Sequence, residues 1–332
     1  MIRDRIEVLD WIRGLAAFAV AWFHFTYGVS GWIQTTGAYG RLGVEVFFVI
    51  SGLVIPFAMH SGGYCGWRDA GTFMFKRLAR LEPPYLASLL LTIAVLYLPW
   101  LMGLHGEKPS LSLTRVLLHI GYLNVFFTRD WLNPVYWTLA VELQFYLSML
   151  LLFPALSQAG APPRLMALAL MAWLPLTVPD RGLIFPYLGL FALGAVAFQH
   201  RAALISRSAA VSLGIGLSAV NLLALGPAEA GVGLAAAAVA AFANVPRIRP
   251  LALLGSISYS LYLTHVPVGG TVLSLSRRLP DGWSGLGIPL AVAASLVAAY
   301  GLYWFVERPA QKLSSRIRYP ERPFQPAVLR RA

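Results

Sequence analysis

The feature that most constrains this chain is a pair of ionisable residues inside its first long apolar run. Arg13 and His24 lie eleven residues apart within the stretch from Trp11 to Val29. At about 100° per residue, that separation is three helical turns plus roughly 20°, so both side chains share one face, about 16 Å apart along the axis. Ionisable groups cost about 2.5 kcal/mol or more at the centre of a bilayer and normally face a protein interior or a water-filled path. The pair therefore predicts a functional site on this helix.

Composition places the chain among membrane proteins. Of its 332 residues, 58% are hydrophobic and 12% are charged, and the mean hydropathy is +0.67, which is outside the range of soluble domains. We predict an all-α, polytopic membrane helix bundle of about ten transmembrane helices, because ten apolar stretches approach the ~20 residues that a span needs. These stretches are 11–29, 41–60, 84–102, 136–154, 165–178, 183–199, 208–225, 229–243, 252–272 and 285–306. The stretch 113–127 is predicted to be an interfacial or loop segment.

The distribution of Lys and Arg predicts the orientation. With ten spans and a cytoplasmic N-terminus, eighteen Lys and Arg residues fall in inner segments and six in outer loops, which matches the usual excess of these residues in cytoplasmic loops. The outer six are Lys108, Arg115, Arg129, Arg181, Arg277 and Arg278. The net charge of +12 is then explained by contact of the inner face with anionic membrane lipids, without a nucleic-acid partner. We expect one transmembrane domain over residues 1–307 and a basic cytoplasmic tail over residues 308–332.

The two longest predicted loops run from Ser61 to Pro83 on the inner side and from Gly103 to Val135 on the outer side. Loops of this size in a compact bundle are often functional. The single cysteine, Cys65, lies in the inner loop, so an internal disulfide or a cysteine-based metal site is not possible. No set of His, Asp and Glu residues has a recognisable metal-ligand spacing, and we expect no metal.

Helix direction places four buried polar residues at a similar depth. His24, Glu45, Glu142 and His265 each fall toward the outer end of a different span. A histidine beside a carboxylate can accept a proton from a hydroxyl, because the carboxylate fixes the tautomer and stabilises the imidazolium that forms. This layer therefore predicts general-base chemistry.

The inner layer is cationic. It consists of Arg13 and of Lys76, Arg77 and Arg80 at the entrance to the third span. Clustered guanidinium groups stay charged and bind phosphate oxygens with two parallel hydrogen bonds. The two layers together predict a phosphate-bearing donor that binds from the cytosol. Its reactive end would reach an acceptor that faces the outer side.

Structural roles compete with these interpretations. Glu45 is equally compatible with a buried ion pair to Arg41 or to a cation on another helix, and arginines at the start of a span often serve as topology anchors. Ser51 and Gly52, and the segment from Ser258 to Ser260, also fit a role as small residues at helix contacts.

Six segments, in order along the chain, resemble the acyltransferase 3 family of membrane enzymes, which O-acylate cell-surface and exported sugars. They are LDWIRGLAAFAVAWFHF with Arg13 and His24, RLGVEVFFVISGLVIP with Glu45, FMFKRLARLEPPYL with Arg77 and Arg80, PVYWTLAVELQFYL with Glu142, LGSISYSLYLTHVPV with Ser258, Tyr259 and His265, and VERP at residues 306–309. Each motif alone is weak, and together they span nearly the whole chain.

The resemblance implies ten helices, an acyl-CoA donor from the cytosol and an essential histidine on the first helix. We expect Arg13, Arg77 and Arg80 to bind the coenzyme A phosphates, and His24 to act as base, oriented by Glu142. Contacts to the acceptor are expected from Glu45, Ser258, Tyr259 and His265. The chain departs from the family at Leu143, where many members have a second acidic residue, and it ends in a short tail where many carry an esterase-like domain. The first departure leaves Glu142 as the one carboxylate of that motif. The second favours the branch that resembles exopolysaccharide, lipopolysaccharide and Nod-factor acetylating enzymes, without a choice among them.

The sequence thus predicts a multi-pass O-acyltransferase, most simply an acetyltransferase, of the bacterial inner membrane. Acyl-CoA is expected as co-substrate, a carbohydrate or lipid-linked glycan as acceptor, and no cofactor as a permanent ligand; a covalent acyl-histidine stage and a homo-oligomer are both compatible with the sequence. The alternatives are a secondary transporter or proton-coupled flippase, and a non-catalytic lipid or sugar sensor. Inverted repeats with broken helices would indicate a transporter, and the sequence shows neither clearly.

Overall fold

The computed structural model describes residues 6–29, 31–103, 108–127, 130–158, 160–278 and 284–320. Within these residues the regular structure is entirely helical, with no strand, which confirms the all-α prediction for the part described. The α-helices are α1 (Glu7–Thr26), α2 (Trp32–Gly37), α3 (Gly43–Gly62), α4 (Ala70–Leu101), α5 (Leu113–His119), α6 (Asn124–Phe127), α7 (Trp137–Leu156), α8 (Ala161–Thr177), α9 (Leu188–Arg201), α10 (Arg207–Ala224), α11 (Pro227–Phe242), α12 (Arg249–Ser256), α13 (Ser258–Thr264), α14 (Gly270–Ser276), α15 (Gly287–Leu302) and α16 (Arg308–Arg316).

Among the residues that the structure describes, six helical segments are long and apolar enough to cross a membrane. They are Glu7–Thr26, Trp32–Gly62, Trp67–Leu101, Pro134–Leu156, Arg207–Ala224 and Gly287–Arg316. A seventh span would consist of α12 and the segment Ser258–Ser276. The chain bends by 53° at the break between these two helices. The helices α8, α9 and α11 have 17, 14 and 16 residues, fewer than the ~20 of a typical span. All ten predicted stretches are therefore helical, and six or seven of them have the length and composition of a span.

The stretch 113–127 does not form a span. It contains α5 and α6, which have 7 and 4 residues and are far shorter than the ~20 residues that a bilayer requires. The interpretation of this stretch as an interfacial or loop segment agrees with the structure.

Two glycines bring α3 and α9 into backbone contact. A Cβ atom on Gly52 would overlap the carbonyl oxygen of Phe191, and one on Gly194 would overlap that of Val49. Phe191 in turn stacks on Phe145, with ring centroids 4.0 Å apart, inside the largest hydrophobic cluster. The interpretation of Gly52 as a helix-packing residue is therefore confirmed.

Glycines also bring α1 and α12 into backbone contact. A Cβ atom on Gly255 would overlap the carbonyl oxygen of Asp10, and one on Gly14 would lie 2.8 Å from the backbone nitrogen of Gly255. Small residues allow this close approach where larger side chains would hold the helices apart. The contact lays α1 alongside α12 and α13, which carry other predicted site residues.

The helix α4 begins much earlier than the sequence predicts. It starts at Ala70 and has 32 residues, so the inner loop predicted from Ser61 to Pro83 is wrong for most of its length. The predicted span began at Pro84, and prolines are common in the first turn of a helix because they lack an N–H donor. In a membrane bundle, however, neighbouring helices can support the backbone around a proline. Here the Tyr259 hydroxyl contacts α4 close to its prolines, because it donates to the Leu81 carbonyl at 3.1 Å.

A π-helical segment, His265–Gly269, interrupts the α-helical part of the ninth predicted span. Pro267, within this segment, has no N–H to donate to the carbonyl of Leu263, four residues earlier. That carbonyl instead accepts hydrogen bonds from Ser88 Oγ at 2.9 Å and from Asn133 Nδ2 at 3.2 Å. π-helical segments inside α-helices are frequent at functional sites. Donors from two other segments thus anchor the backbone two residues before His265.

A second π-helical segment ends at Glu307 and joins α15 to α16, so the predicted span 285–306 continues to Arg316. The helix α16 packs against α4, where Ser314 Oγ donates to the Lys76 carbonyl at 2.7 Å and Lys76 Nζ donates to the Ile317 carbonyl at 3.0 Å. The described part of the predicted tail therefore lies against the bundle. Residues 321–332, with Arg322, Arg330 and Arg331, lie outside the described residues, as do Arg3, Arg5 and Arg129.

Candidate active site

The helix α1 carries both residues of the first motif. It is continuous from Glu7 to Thr26, so Arg13 and His24 lie about 16 Å apart along one axis, as the spacing predicts. We call Arg13, Arg77 and Arg80 the arginine end of the site, and His24 with His265 the histidine pair.

A cavity lies between α1, α3, α4, α7 and α13, with about 820 Å³ of space that includes open solvent at its mouth. Its wall includes all three residues of the arginine end together with Glu142 and Tyr259, and much of the remainder is apolar. The structure therefore brings five of the predicted site residues to one cavity.

The guanidinium of Arg77 has hydrogen-bonding capacity left for a ligand. Its side chain is buried, and its charge lies over the ring of Phe73, 5.5 Å from the centroid. Its Nε–H is also buried and has no hydrogen-bond partner among the described residues. A buried donor without a partner costs about 1–3 kcal/mol, so such a group is rare unless a ligand or water completes it.

The carboxylate of Glu142 belongs to the arginine end of the cavity. It accepts a hydrogen bond from Ser51 Oγ at 2.9 Å and is also hydrogen-bonded to the Tyr146 hydroxyl. Its charge interacts with those of Arg13 and Arg80. The structure places no hydrogen bond between Glu142 and His24, which differs from the orienting role that the sequence predicts.

The histidine pair is a direct contact between two helices. His24 Nδ1 lies 2.9 Å from the Val20 carbonyl oxygen and 3.3 Å from His265 Nε2, and the two ring centroids are 5.0 Å apart. His265 Nδ1 lies 3.1 Å from the Leu261 carbonyl oxygen. The two histidines, which the sequence places at a similar depth, are thus in direct contact in the structure. His265 is fully buried and does not line the cavity, and its predicted contact with the acceptor stays a prediction.

Tyr262 connects the cavity with the histidine pair. It lines the cavity, its hydroxyl shares a 2.8 Å hydrogen bond with Thr138 Oγ1, and its ring centroid is 5.9 Å from that of His265. His24 does not itself line the cavity. The ring of Tyr262 therefore forms part of the wall between the cavity and the pair, a role that the sequence analysis missed.

Two predicted acceptor contacts lie away from the cavity. Glu45 is buried, and the neighbouring Arg41 forms its ion pair with Glu229, at 2.8 Å, rather than with Glu45. Ser258 is fully buried, and its hydroxyl donates to the Gly255 carbonyl at 2.8 Å. Neither residue lines the cavity, and the contacts of Ser258 fit the packing role that its motif also allowed.

Glu307 is a site residue that the sequence analysis did not select. It is 3% exposed; Oε2 accepts a hydrogen bond from Ser260 Oγ at 2.6 Å, and Oε1 accepts one from Gln311 Nε2 at 2.9 Å. Its charge interacts with Arg13 and Arg80. The signal was present in the VERP segment, because a carboxylate next to a long apolar stretch is itself a functional indication.

Comparison with known proteins identifies a family for this chain. The acyltransferase 3 profile, described as an acyltransferase domain, matches residues 6–306. The chain is similar to Nodulation protein 10 of Rhizobium leguminosarum bv. viciae, with 26% identity over an alignment of 366 residues that covers 95% of this chain and 94% of that protein.

Two further similarities are partial. Protein 2 in picA locus of Rhizobium radiobacter is 33% identical over 101 residues, which cover 30% of this chain and 51% of that protein. The O-acetyltransferase OatA of Staphylococcus aureus (strain NCTC 8325 / PS 47) is 30% identical over 154 residues, which cover 44% of this chain and 24% of OatA. No solved structure matches the chain.

Proposed function

The chain belongs to the acyltransferase 3 family, and on that premise we propose that it is a membrane-embedded O-acyltransferase. In this proposal it moves an acyl group, in the simplest case acetyl, from cytosolic acyl-CoA to a hydroxyl of a cell-surface or exported carbohydrate. The observation that carries the proposal is one cavity lined by three arginines and by Tyr262, whose ring contacts the histidine pair.

The arginine end binds the donor in this proposal. Arg13, Arg77 and Arg80 contact the phosphate groups of coenzyme A, since guanidinium groups remain charged and match phosphate geometry. The partnerless Nε–H of Arg77 supplies one such donor. The thioester arm then lies along the apolar wall in the direction of Thr138 and Tyr262.

The histidine pair supplies the base. His24 Nε2 takes the proton of the acceptor hydroxyl while the hydroxyl oxygen bonds to the thioester carbonyl carbon. The carbon–sulfur bond breaks, and the proton passes from His24 Nε2 to the departing sulfur, which leaves as the thiol of coenzyme A. His24 returns to its neutral form, and the ester remains on the acceptor. At the arginine end, Glu142 fixes Ser51 and Tyr146 and balances part of the arginine charge.

The proposal includes a topology and a location. Ten spans with a cytoplasmic N-terminus in the bacterial inner membrane require α8, α9 and α11 to cross as short helices, which a bilayer accommodates by local thinning. The donor then arrives from the cytosol, and the glycan, free or lipid-linked, arrives from the membrane or its outer side. OatA, an O-acetyltransferase, supports acyl transfer to oxygen, whereas none of the comparisons favours a transporter.

The test is the release of free coenzyme A by purified protein in lipid, with acetyl-CoA and a crude extract of the host's surface glycans. The His24→Ala variant is expected to lose glycan-dependent release, because the base contributes about 10²–10⁴-fold. The Arg80→Ala variant is expected to raise KM for acetyl-CoA about tenfold or more, with a smaller change in kcat, because a charge-assisted hydrogen bond contributes about 1.5–3 kcal/mol. Near-normal release by His24→Ala, or redistribution of the glycan across the membrane without release, would contradict the proposal.

A further inference from the structure

The contacts of the two histidines indicate which ring nitrogen of each carries a hydrogen. We propose that His265 is a positioning residue, which holds His24 in the tautomer that carries its lone pair on Nε2. The kinetic consequence of this inference rests on the proposed function, whereas the placement of the protons rests on the geometry of the two rings alone.

The proton of His265 is fixed by its own helix. His265 Nδ1 faces the Leu261 carbonyl oxygen at 3.1 Å. A carbonyl oxygen only accepts hydrogen bonds, so Nδ1 carries the hydrogen and donates it. In the neutral ring, Nε2 then holds a lone pair, and this nitrogen is the one that faces His24.

The proton of His24 follows from the same logic. His24 Nδ1 faces two acceptors, the Val20 carbonyl oxygen at 2.9 Å and the lone pair of His265 Nε2 at 3.3 Å. A hydrogen on Nδ1 serves both of them, whereas a lone pair there would face one carbonyl oxygen and one nitrogen lone pair. Nδ1 therefore carries the hydrogen, and Nε2 of His24 is left with the lone pair that a base requires.

His265 also stabilises the charged form of His24. When His24 takes a proton at Nε2, its Nδ1–H becomes a stronger donor, and the imidazole nitrogen of His265 is a good acceptor for it. In a serine-protease triad a carboxylate has this position. Within the described residues neither His24 nor His265 has a carboxylate as a hydrogen-bond partner, so the orienting group of this site is a neutral ring.

The surroundings of His265 suit a fixed role. The ring is fully buried, with the ring centroids of Phe25 and Tyr262 at 6.2 and 5.9 Å. It stands at the first residue of the π-helical segment, next to the Leu263 carbonyl that Ser88 and Asn133 anchor. Rigid packing of this kind holds an orienting group in place, as a preorganised site requires.

Two substitutions separate positioning from packing. The His265→Phe variant keeps a buried ring but has no acceptor, and we expect kcat to fall about a hundredfold with KM for acetyl-CoA unchanged within about twofold. The His265→Gln variant keeps an acceptor oxygen near the position of Nε2, and we expect it to retain kcat within about tenfold of the wild type. Equal kcat values for His265→Phe and the wild type, or equal losses in both variants, would overturn the inference.

A second readout does not depend on activity. Nitrogen-15 NMR of protein labelled at its six histidines distinguishes ring nitrogens that carry hydrogen from those that carry a lone pair, with His24→Gln to assign the signals of His24. We expect hydrogen on His24 Nδ1 and a lone pair on Nε2 in the wild type, with a mixture of tautomers in His265→Phe. A wild-type His24 that carries its hydrogen on Nε2 would overturn the inference. Correct proton positions in a wild type without acyl transfer would instead contradict the proposed function.

Discussion

Glu307 sets the charge balance at the arginine end. Replacing it with Ala removes a buried carboxylate that interacts with Arg13 and Arg80, and leaves the Ser260 hydroxyl without its acceptor. We expect a loss of stability of about 3 kcal/mol, because removing one partner of a buried charge group leaves the other uncompensated. Thermal unfolding in detergent measures this loss. The control is Glu307→Gln, which keeps an oxygen for Ser260 and is expected to lose less; a melting temperature of Glu307→Ala equal to that of the wild type would contradict the assignment.

At this scale, the sequence predicts the shared face of Arg13 and His24 but not the surroundings of Glu142. The spacing of Arg13 and His24 placed both on one face, because both belong to a single helix whose geometry is known. The partner of Glu142 depends on the rotation of α7 and on which residues α3 presents to it, and the structure gives it Ser51 rather than His24. Rotation about a helix axis is set by packing against neighbours, so one chain's pattern does not determine it.

At the scale of helices, the α3–α9 contact makes a sharp prediction. The Gly52→Ala variant places a Cβ atom against the Phe191 carbonyl oxygen, and neither backbone can move away easily. We expect a lower melting temperature in detergent and less folded protein in the membrane. The matched control is Gly216→Ala in α10, where nothing lies within 4 Å of the added carbon. There the higher helix propensity of Ala, up to about 1 kcal/mol, predicts an unchanged or raised melting temperature, and similar behaviour of the two variants would contradict the account of this contact.

The segment that contains α5 includes a histidine, His119, whose protonation should lower the stability of that segment. His119 is fully buried; its Nδ1–H donates to the Arg115 carbonyl at 2.7 Å, and its Nε2 accepts from the Leu132 N–H at 3.0 Å. Burial lowers the pKa of the His119 imidazole below its usual value. The folded state therefore binds the proton less readily than the unfolded chain. The stability that the neutral ring contributes is complete above the unfolded pKa of about 6.5 and is lost as the pH falls below it.

Amide hydrogen exchange at Leu132 checks this pH dependence. We expect exchange, corrected for its intrinsic rate, to be faster at about pH 5 than at about pH 7.5, because a proton on Nε2 removes the acceptor for that amide. The His119→Gln variant supplies an acceptor that does not titrate, so its exchange should not depend on pH in this way. Equal protection of Leu132 in the wild type at both pH values would contradict the role given to His119.

Helices were easier to predict than their interruptions. The ten apolar stretches are all helical, since apolar length is a property of the local sequence. The start of α4 before Pro83 and the π-helical segment at Pro267 depend on donors and contacts from other helices, such as Ser88 at the Leu263 carbonyl. A proline therefore marks a place where a helix lacks a backbone hydrogen bond. Only the tertiary structure shows whether a neighbouring segment supplies a donor there.

At the scale of the whole molecule, the single cysteine tests the orientation directly. Cys65 is free and exposed, in the segment placed on the cytoplasmic side. A membrane-impermeant maleimide should label it in inverted membrane vesicles and not in intact cells. A variant with Cys65→Ser and Lys108→Cys should give the reverse pattern. Labelling of Cys65 from outside intact cells would contradict the cytoplasmic N-terminus.

The central claim is that the donor enters at the arginine end and the acceptor is activated at the histidine pair, with one cavity approaching the pair from the arginine side. The decisive measurement uses sealed membrane vesicles of both orientations, labelled acetyl-CoA added from outside, and the label found on glycan. We predict labelled glycan only when acetyl-CoA reaches the face that exposes Cys65, and none with His24→Ala. Labelled glycan from acetyl-CoA supplied at the opposite face would contradict the account.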